Sequence, residues 1–87
     1  STFFVLVLII YSNDLTIIEQ KLREKISQAQ DFFRNSPIIL DVRELNQQGH
    51  EIDIIKLITL IRSTGLFPVG IRVRAKDLFR HQLQFLR

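Results

Sequence analysis

Eight consecutive apolar residues, Phe3 to Ile10 (FFVLVLII), constrain this 87-residue chain more than any other feature. The run is too short to cross a bilayer as a helix, which takes roughly 20 residues. A secretory signal would carry a basic flank before it and a small-residue cleavage site after it, and neither is present. The run is rich in β-branched and aromatic residues and stops at the turn cluster Ser12-Asn13-Asp14. These features predict a strand buried on both faces, the habit of a central strand in a parallel sheet. Uncharged and free of Pro, the same run is an aggregation hazard wherever it is exposed.

Helical and extended patterns then alternate. Leu15, Ile18, Leu22, Ile26, Ala29 and Phe33 recur at spacings of three and four, one stripe of an amphipathic helix. Thr16 followed by Glu19 fits a capping box at its start, and Asp14 is a rival cap. Asn35-Ser36-Pro37 ends it, because Pro biases the residue before it away from helical angles. Pro37 to Val42 (PIILDV) reads as a second strand. Arg43 to His50 is polar, with Gln47-Gln48-Gly49 marking a loop. Glu51 to Thr64 reads as a second helix, with Glu51 and Asp53 in the first turn where the dipole favours acids. Ile54, Ile55, Leu57, Ile58 and Ile61 cover a broad face of it, and Gly65 is placed as its C-terminal cap. Ile52 and Leu60 fall away from that face and need a thicker core or a partner. Pro68 to Arg74 reads as a third strand. Its Val69, Ile71 and Val73 alternate with Gly70, Arg72 and Arg74, the pattern of a half-open or edge strand. A third helix begins near Ala75, with Ala75, Leu78, Phe79, Leu83 and Leu86 on one side.

The order βαβαβα implies right-handed crossovers and a small, mainly parallel α/β sheet. Three strands make a thin sheet, so the reading expects either a final strand absent from the chain or an edge paired by a second copy. In the second case the Phe3–Ile10 strand is free to exchange between copies and give a homodimer, since swapping is a low-cost route to one. The length fits a single domain over residues 1–87. The lack of Cys excludes a disulfide framework, thiol catalysis and a Cys-based zinc site, and is compatible with a cytoplasmic origin. The chain starts at Ser1 and contains no Met, so it is expected to be a piece of a longer protein.

In a parallel sheet the functional edge lies at the carboxyl ends of the strands. That edge would carry Asn13, Asp14, Asp41, Arg43, Arg72, Arg74 and Lys76, a set suggestive of a phosphate-accepting or metal-holding site. The simpler reading has Asp14 capping a helix and Asp41 pairing with Arg43 or with an Arg of the neighbouring strand. Gly49, Gly65 and Gly70 fit no phosphate-cradling motif. Neither His50 nor His81 has a second His or Cys at ligand spacing, and no Ser has a convincing base. No enzyme, metal or cofactor is expected. Arg72, Arg74, Lys76 and Arg80 form a basic stripe of the kind that meets nucleic acid. Yet the net charge is only +3 and no aromatic residues interleave with these cations, so a solvated strand face is the simpler reading and no nucleic acid is expected.

The first helix carries the most informative surface. Lys21, Lys25, Gln28 and Phe32 fall on one flank, at spacings of four, three and four. Phe33 lies on the apolar stripe, which leaves Phe32 off it. An exposed Phe beside two lysines is a docking surface for an acidic, apolar partner element. The alternative is that Phe32 tucks under a loop and the lysines only solvate the helix.

The segment Ser63-Thr64-Gly65-Leu66-Phe67-Pro68-Val69-Gly70-Ile71-Arg72 resembles the STGLxPVGxR stretch of the amino-terminal domains of MinC, the bacterial septum-site-determining family. The FxVLxL-type first strand, the helix with EQKLREKISQAQDFF, the SPIILDV strand and a closing RVRAKD turn follow the same order. The resemblance spans nearly all 87 residues, and GLFPVGIR is its most specific part. It implies a non-enzymatic division inhibitor that antagonises polymers of the tubulin-like protein FtsZ. It also implies a carboxyl-terminal domain, absent from this chain, that dimerises and binds the membrane-associated ATPase MinD. That places the full-length protein in the bacterial cytoplasm, recruited to the membrane through MinD. Residue by residue, it puts Lys25 and Phe32 on the target-contact surface; Lys21 and Gln28 join them by helix geometry alone. The family pattern has contact residues ahead of the first strand and a further strand after the third helix, and this chain stops at Arg87. A phospho-regulated domain of anti-sigma-antagonist type has a comparable build, but Asp41-Val42-Arg43-Glu44 offers it no Ser or Thr at the required helix start.

Overall fold

The computed structural model describes residues 5–34 and 36–74. Three strands, β1 (Leu6–Ile9), β2 (Pro37–Asp41) and β3 (Phe67–Arg72), form one parallel sheet in the order β1-β2-β3. Four helices connect them: α1 (Leu15–Gln28), α2 (Gln30–Phe33), α3 (Arg43–Gln47) and α4 (Ile54–Ser63). Strands taken in chain order with right-handed crossovers place their connecting helices on one face, and α1 packs against α4 there. The α/β class and the parallel sheet are as the alternating sequence pattern requires. The third helix expected from Ala75 lies outside the described residues, and so do Phe3 and Phe4.

The apolar run does not form the centre of the sheet. β2 does, paired on both sides, while β1 is an edge strand among the described residues. Register explains the two faces. Leu8, Leu40 and Ile71 align on the helix-covered side, and Val7, Ile39 and Gly70 align on the other. Ile38 and Leu40 are buried by the helices, whereas Val5, Val7 and Ile9 are about half exposed. Every position of the run is apolar, so the alternation of its environment leaves no trace in its composition.

Among the described residues, ten buried apolar side chains form the core: Ile10, Ile18, Leu22, Ile38, Leu40, Val42, Leu45, Leu57, Ile61 and Leu66. Each fully buried Leu or Ile contributes about 1.5–3 kcal/mol relative to its exposed state, so the loss of one is felt. Ile52 and Leu60 are half-buried against this cluster, which answers the need raised by their sequence positions without a partner. Ile55, expected on the buried face of α4, is instead 78% exposed.

Local chemistry sets the element ends. Asp14 caps α1, its Oδ1 accepting from the N–H of Thr16 at 3.0 Å and of Ile17 at 3.4 Å. The Thr16–Glu19 capping box is therefore not used, and Glu19 pairs with Arg23 one turn on. The helix also stops sooner than its apolar stripe. Ala29 leaves helical angles (φ −149°, ψ 55°), and α2 is a separate short turn. The break lies just past Ser27, whose hydroxyl donates to the Glu24 carbonyl at 2.7 Å, a back-bond that competes with the helix ladder. Arg43–Gln47, expected within a loop, is the short helix α3, held by the fully buried Leu45. Asp53 caps α4, which is shorter than the expected Glu51–Thr64 span. Gly65 follows α4 at φ +93°, the left-handed position that favours glycine. A bulge at Val69, between the pairs Ile38–Pro68 and Ile39–Gly70, puts that side chain outside rather than inside.

Candidate functional site

Two regions collect the residues singled out by sequence. The first is the flank of α1. Lys21, Lys25 and Gln28 are all exposed, and Lys25 lies in the last turn, where a cation suits the helix dipole. Phe32 is 60% exposed, so it does not tuck under a loop. Its ring meets that of Phe33 edge-on at 5.5 Å, while Phe33 itself packs against the core. Because the chain leaves helical geometry at Ala29, Phe32 belongs to α2 and is not carried on the α1 flank by helical periodicity. Lys21 and Lys25 share a common surface that the sequence reading missed. With Leu8, Ile10, Tyr11 and Ile17 they line an open groove of about 420 Å³ between β1 and α1. Gln28 and Phe32 are not among its lining residues. Tyr11 and Ile17, 67% and 39% exposed, are additions that only the edge position of β1 brings out.

The second region is the carboxyl edge of the sheet. Asp41 is 3% exposed, the single buried charged residue among those described. Arg43 grips its carboxylate: Nη2 donates to Oδ2 at 2.8 Å, Nε to Oδ1 at 3.0 Å, and the Arg43 backbone N–H also donates to Oδ1 at 3.0 Å. Arg72, one strand away, brings its Nη1 to 3.8 Å from Oδ2. Hydrogen bonding from Arg43 holds the Asp41 carboxyl below the usual carboxylate range, against the burial that would raise it, and Arg72 adds to the lowering. Asp41 thus pairs with both arginines its position offered. Its backbone carbonyl also accepts from the Ile10 N–H, and Val42 donates to the Arg72 carbonyl. The cluster ties three strands together.

The remaining edge residues serve the fold as well. Asn13 Nδ2 donates to the Glu51 carbonyl at 3.1 Å, and Asp14 caps α1. Arg72 is turned toward Asp41, so the expected basic stripe is divided; Arg74 is exposed, and Lys76 and Arg80 lie outside the described residues. His50 is exposed in the loop after α3, and His81 lies outside the described residues. Among the described residues, no three His, Asp or Glu side chains gather to hold a metal ion. No helix among them is long and apolar enough to cross a membrane.

Comparison with known proteins gives one consistent family. The model of the septum formation inhibitor MinC, N-terminal domain, matches residues 1–68. Curated proteins named septum site-determining protein MinC are similar over most of the chain. That of Pectobacterium carotovorum is 39% identical over 71 residues, covering 82% of this chain and 30% of its own length. That of Stutzerimonas stutzeri is 37% identical over 60 residues, covering 69% of this chain and 25% of its own. That of Pseudomonas aeruginosa is 33% identical over 67 residues, covering 76% and 26%. The chain therefore spans about a quarter to a third of the length of these relatives.

Proposed function

Starting from a chain that belongs to the family of MinC amino-terminal domains, we propose that it is a cell-division inhibitor domain whose target is the tubulin-like protein FtsZ. The family match across residues 1–68 carries this reading. The exposed cations of α1 and the exposed ring of Phe32 support it, because they offer charge and apolar contact with no chemistry attached. In this reading Lys25, Lys21 and Gln28 meet an acidic surface at a subunit junction of the polymer. Phe32 adds apolar contact from α2. Docking at the junction competes with the longitudinal contact between subunits and shortens the polymer. In a full-length protein, binding to MinD through a carboxyl-terminal domain would set where in the cell the inhibition falls.

Sedimentation of FtsZ polymer in the presence of the chain tests the reading. The wild-type chain should lower the pelleted fraction. Lys25→Glu and Phe32→Ala should each abolish that effect while circular dichroism stays unchanged. Undiminished inhibition by both variants removes α1 and α2 from the mechanism.

A further inference from the structure

We propose that the edge of β1 that no described strand pairs is a strand-addition site for an extended acidic peptide, seated in the groove between β1 and α1. This rests on the reading of the α1 flank as a partner surface and adds the form of the partner element.

The backbone supplies the first observation. Ile10 donates its N–H to the Asp41 carbonyl of β2. Peptide groups alternate sides along a strand, so Leu6, Leu8 and Ile10 turn theirs toward β2. Val7 and Ile9 turn theirs outward, and among the described residues β1 pairs with β2 alone. An edge of this kind is a template for another extended chain.

The groove supplies the second. Its floor is apolar, and among the described residues its charged lining is Lys21 and Lys25, with no Asp or Glu. A strand added about 4.8 Å beyond β1 would place alternate side chains into the groove and the others beside Val7 and Ile9 on the open face. Lys21 and Lys25 are four residues apart on a helix, a rise of about 6 Å. Side chains two apart on a strand are separated by about 6.6 Å. Two acids on the groove side of an added strand therefore match the two lysines in spacing as well as in sign. The residues between them would be apolar, to continue the face of Val7 and Ile9. The occupant is an alternating acidic and aliphatic segment.

Fluorescence anisotropy with a fluorescein-labelled peptide VEVDVEV is the test, run on the 87-residue chain. The peptide should bind saturably and more weakly as salt rises to about 150 mM. The peptide VKVKVKV should not bind. A form of VEVDVEV methylated on alternate backbone nitrogens should lose about tenfold or more, as the loss of edge hydrogen bonds requires; this arm needs no change to the protein. Ile9→Pro removes one outward N–H and leaves the β1–β2 ladder intact, and should weaken binding by a similar factor. Equal binding of the methylated peptide, or of VKVKVKV, overturns the proposal. So does a dimer in sedimentation that Ile9→Pro dissolves, because the edge then belongs to a second copy. Slow amide exchange at Val7 and Ile9 in the free monomer overturns it too, because the chain then covers its own edge. The polymer assay separates the two readings. If Lys25→Glu abolishes inhibition but VEVDVEV does not bind, strand addition fails and the inhibitor reading stands. If VEVDVEV binds as described and the polymer is unaffected, the inhibitor reading fails and the edge site stands.

Discussion

Leu45→Ala removes the branched end of the one apolar side chain in α3. Leu45 is 0% exposed and belongs to the buried apolar core of the described residues. Truncation of such a residue loses its transfer free energy and leaves a cavity, about 3 kcal/mol within the usual range of 2–5. A domain of this size has about 4–13 kcal/mol of stability in all. The substitution should therefore remove a large fraction of it. At about 4–8 °C per kcal/mol for a domain of this length, the melting temperature should fall by about 12–24 °C. Thermal unfolding followed by circular dichroism at 222 nm reads this directly. Gln47→Ala, on the exposed side of the same short helix, should move it by less than about 0.5 kcal/mol. If the two variants melt together, α3 is a surface loop and the core closes without it.

The other predictions concern the caps and the carboxyl edge. Asp14→Ala should cost about 1 kcal/mol in urea unfolding, while Thr16→Ala should cost less, because Asp14 is the residue that accepts from the first turn; the reverse order would restore the Thr16 capping box. Asp41→Asn should lower stability at pH 7 and lose that deficit in acid. The folded-state pKa of Asp41 lies below its unfolded value, so its contribution is complete above about pH 4 and disappears as pH falls through the folded value. Urea midpoints of wild type and variant should therefore converge as pH falls below the ordinary carboxylate range, about pH 4, and a gap that stays constant would show that the charge of Asp41 is not what the arginines hold.

How far the fold could be read from residues depended on contrast between neighbours. Helix α4 announced itself through Leu57 and Ile61, and Gly65 through its place after them, because apolar and polar positions differ there. β2 was legible as PIILDV between turn residues. β1 was legible as a strand but not as an edge, because FFVLVLII is apolar on both sides and hides which side is covered. α3 went unseen because one Leu among polar residues has no period. The end of α1 at Ala29 was invisible for a different reason: no Gly or Pro marks it, and the stripe continues through Phe33. The same two blind spots shaped the candidate site. Lys21, Lys25 and Gln28 came from the period of one helix. Phe32 lies past the break, and the groove beside the lysines exists only because β1 is an edge.

Strand order in space repeats strand order in the chain, and this bears on how the domain is made. Each strand after β1, as it leaves the ribosome, meets a partner edge already laid down, and no formed pair has to open to admit a later strand. β1 waits only for the roughly 30 residues that reach β2, about 2–6 s at ordinary synthesis rates. A βαβ unit with its helix in place can then stand before β3 is translated. β3 afterwards adds to the far side of β2, and Asp41 locks it there through Arg72. The sheet grows in one direction, away from β1, so the first edge to form is also the one that no later described strand comes to cover.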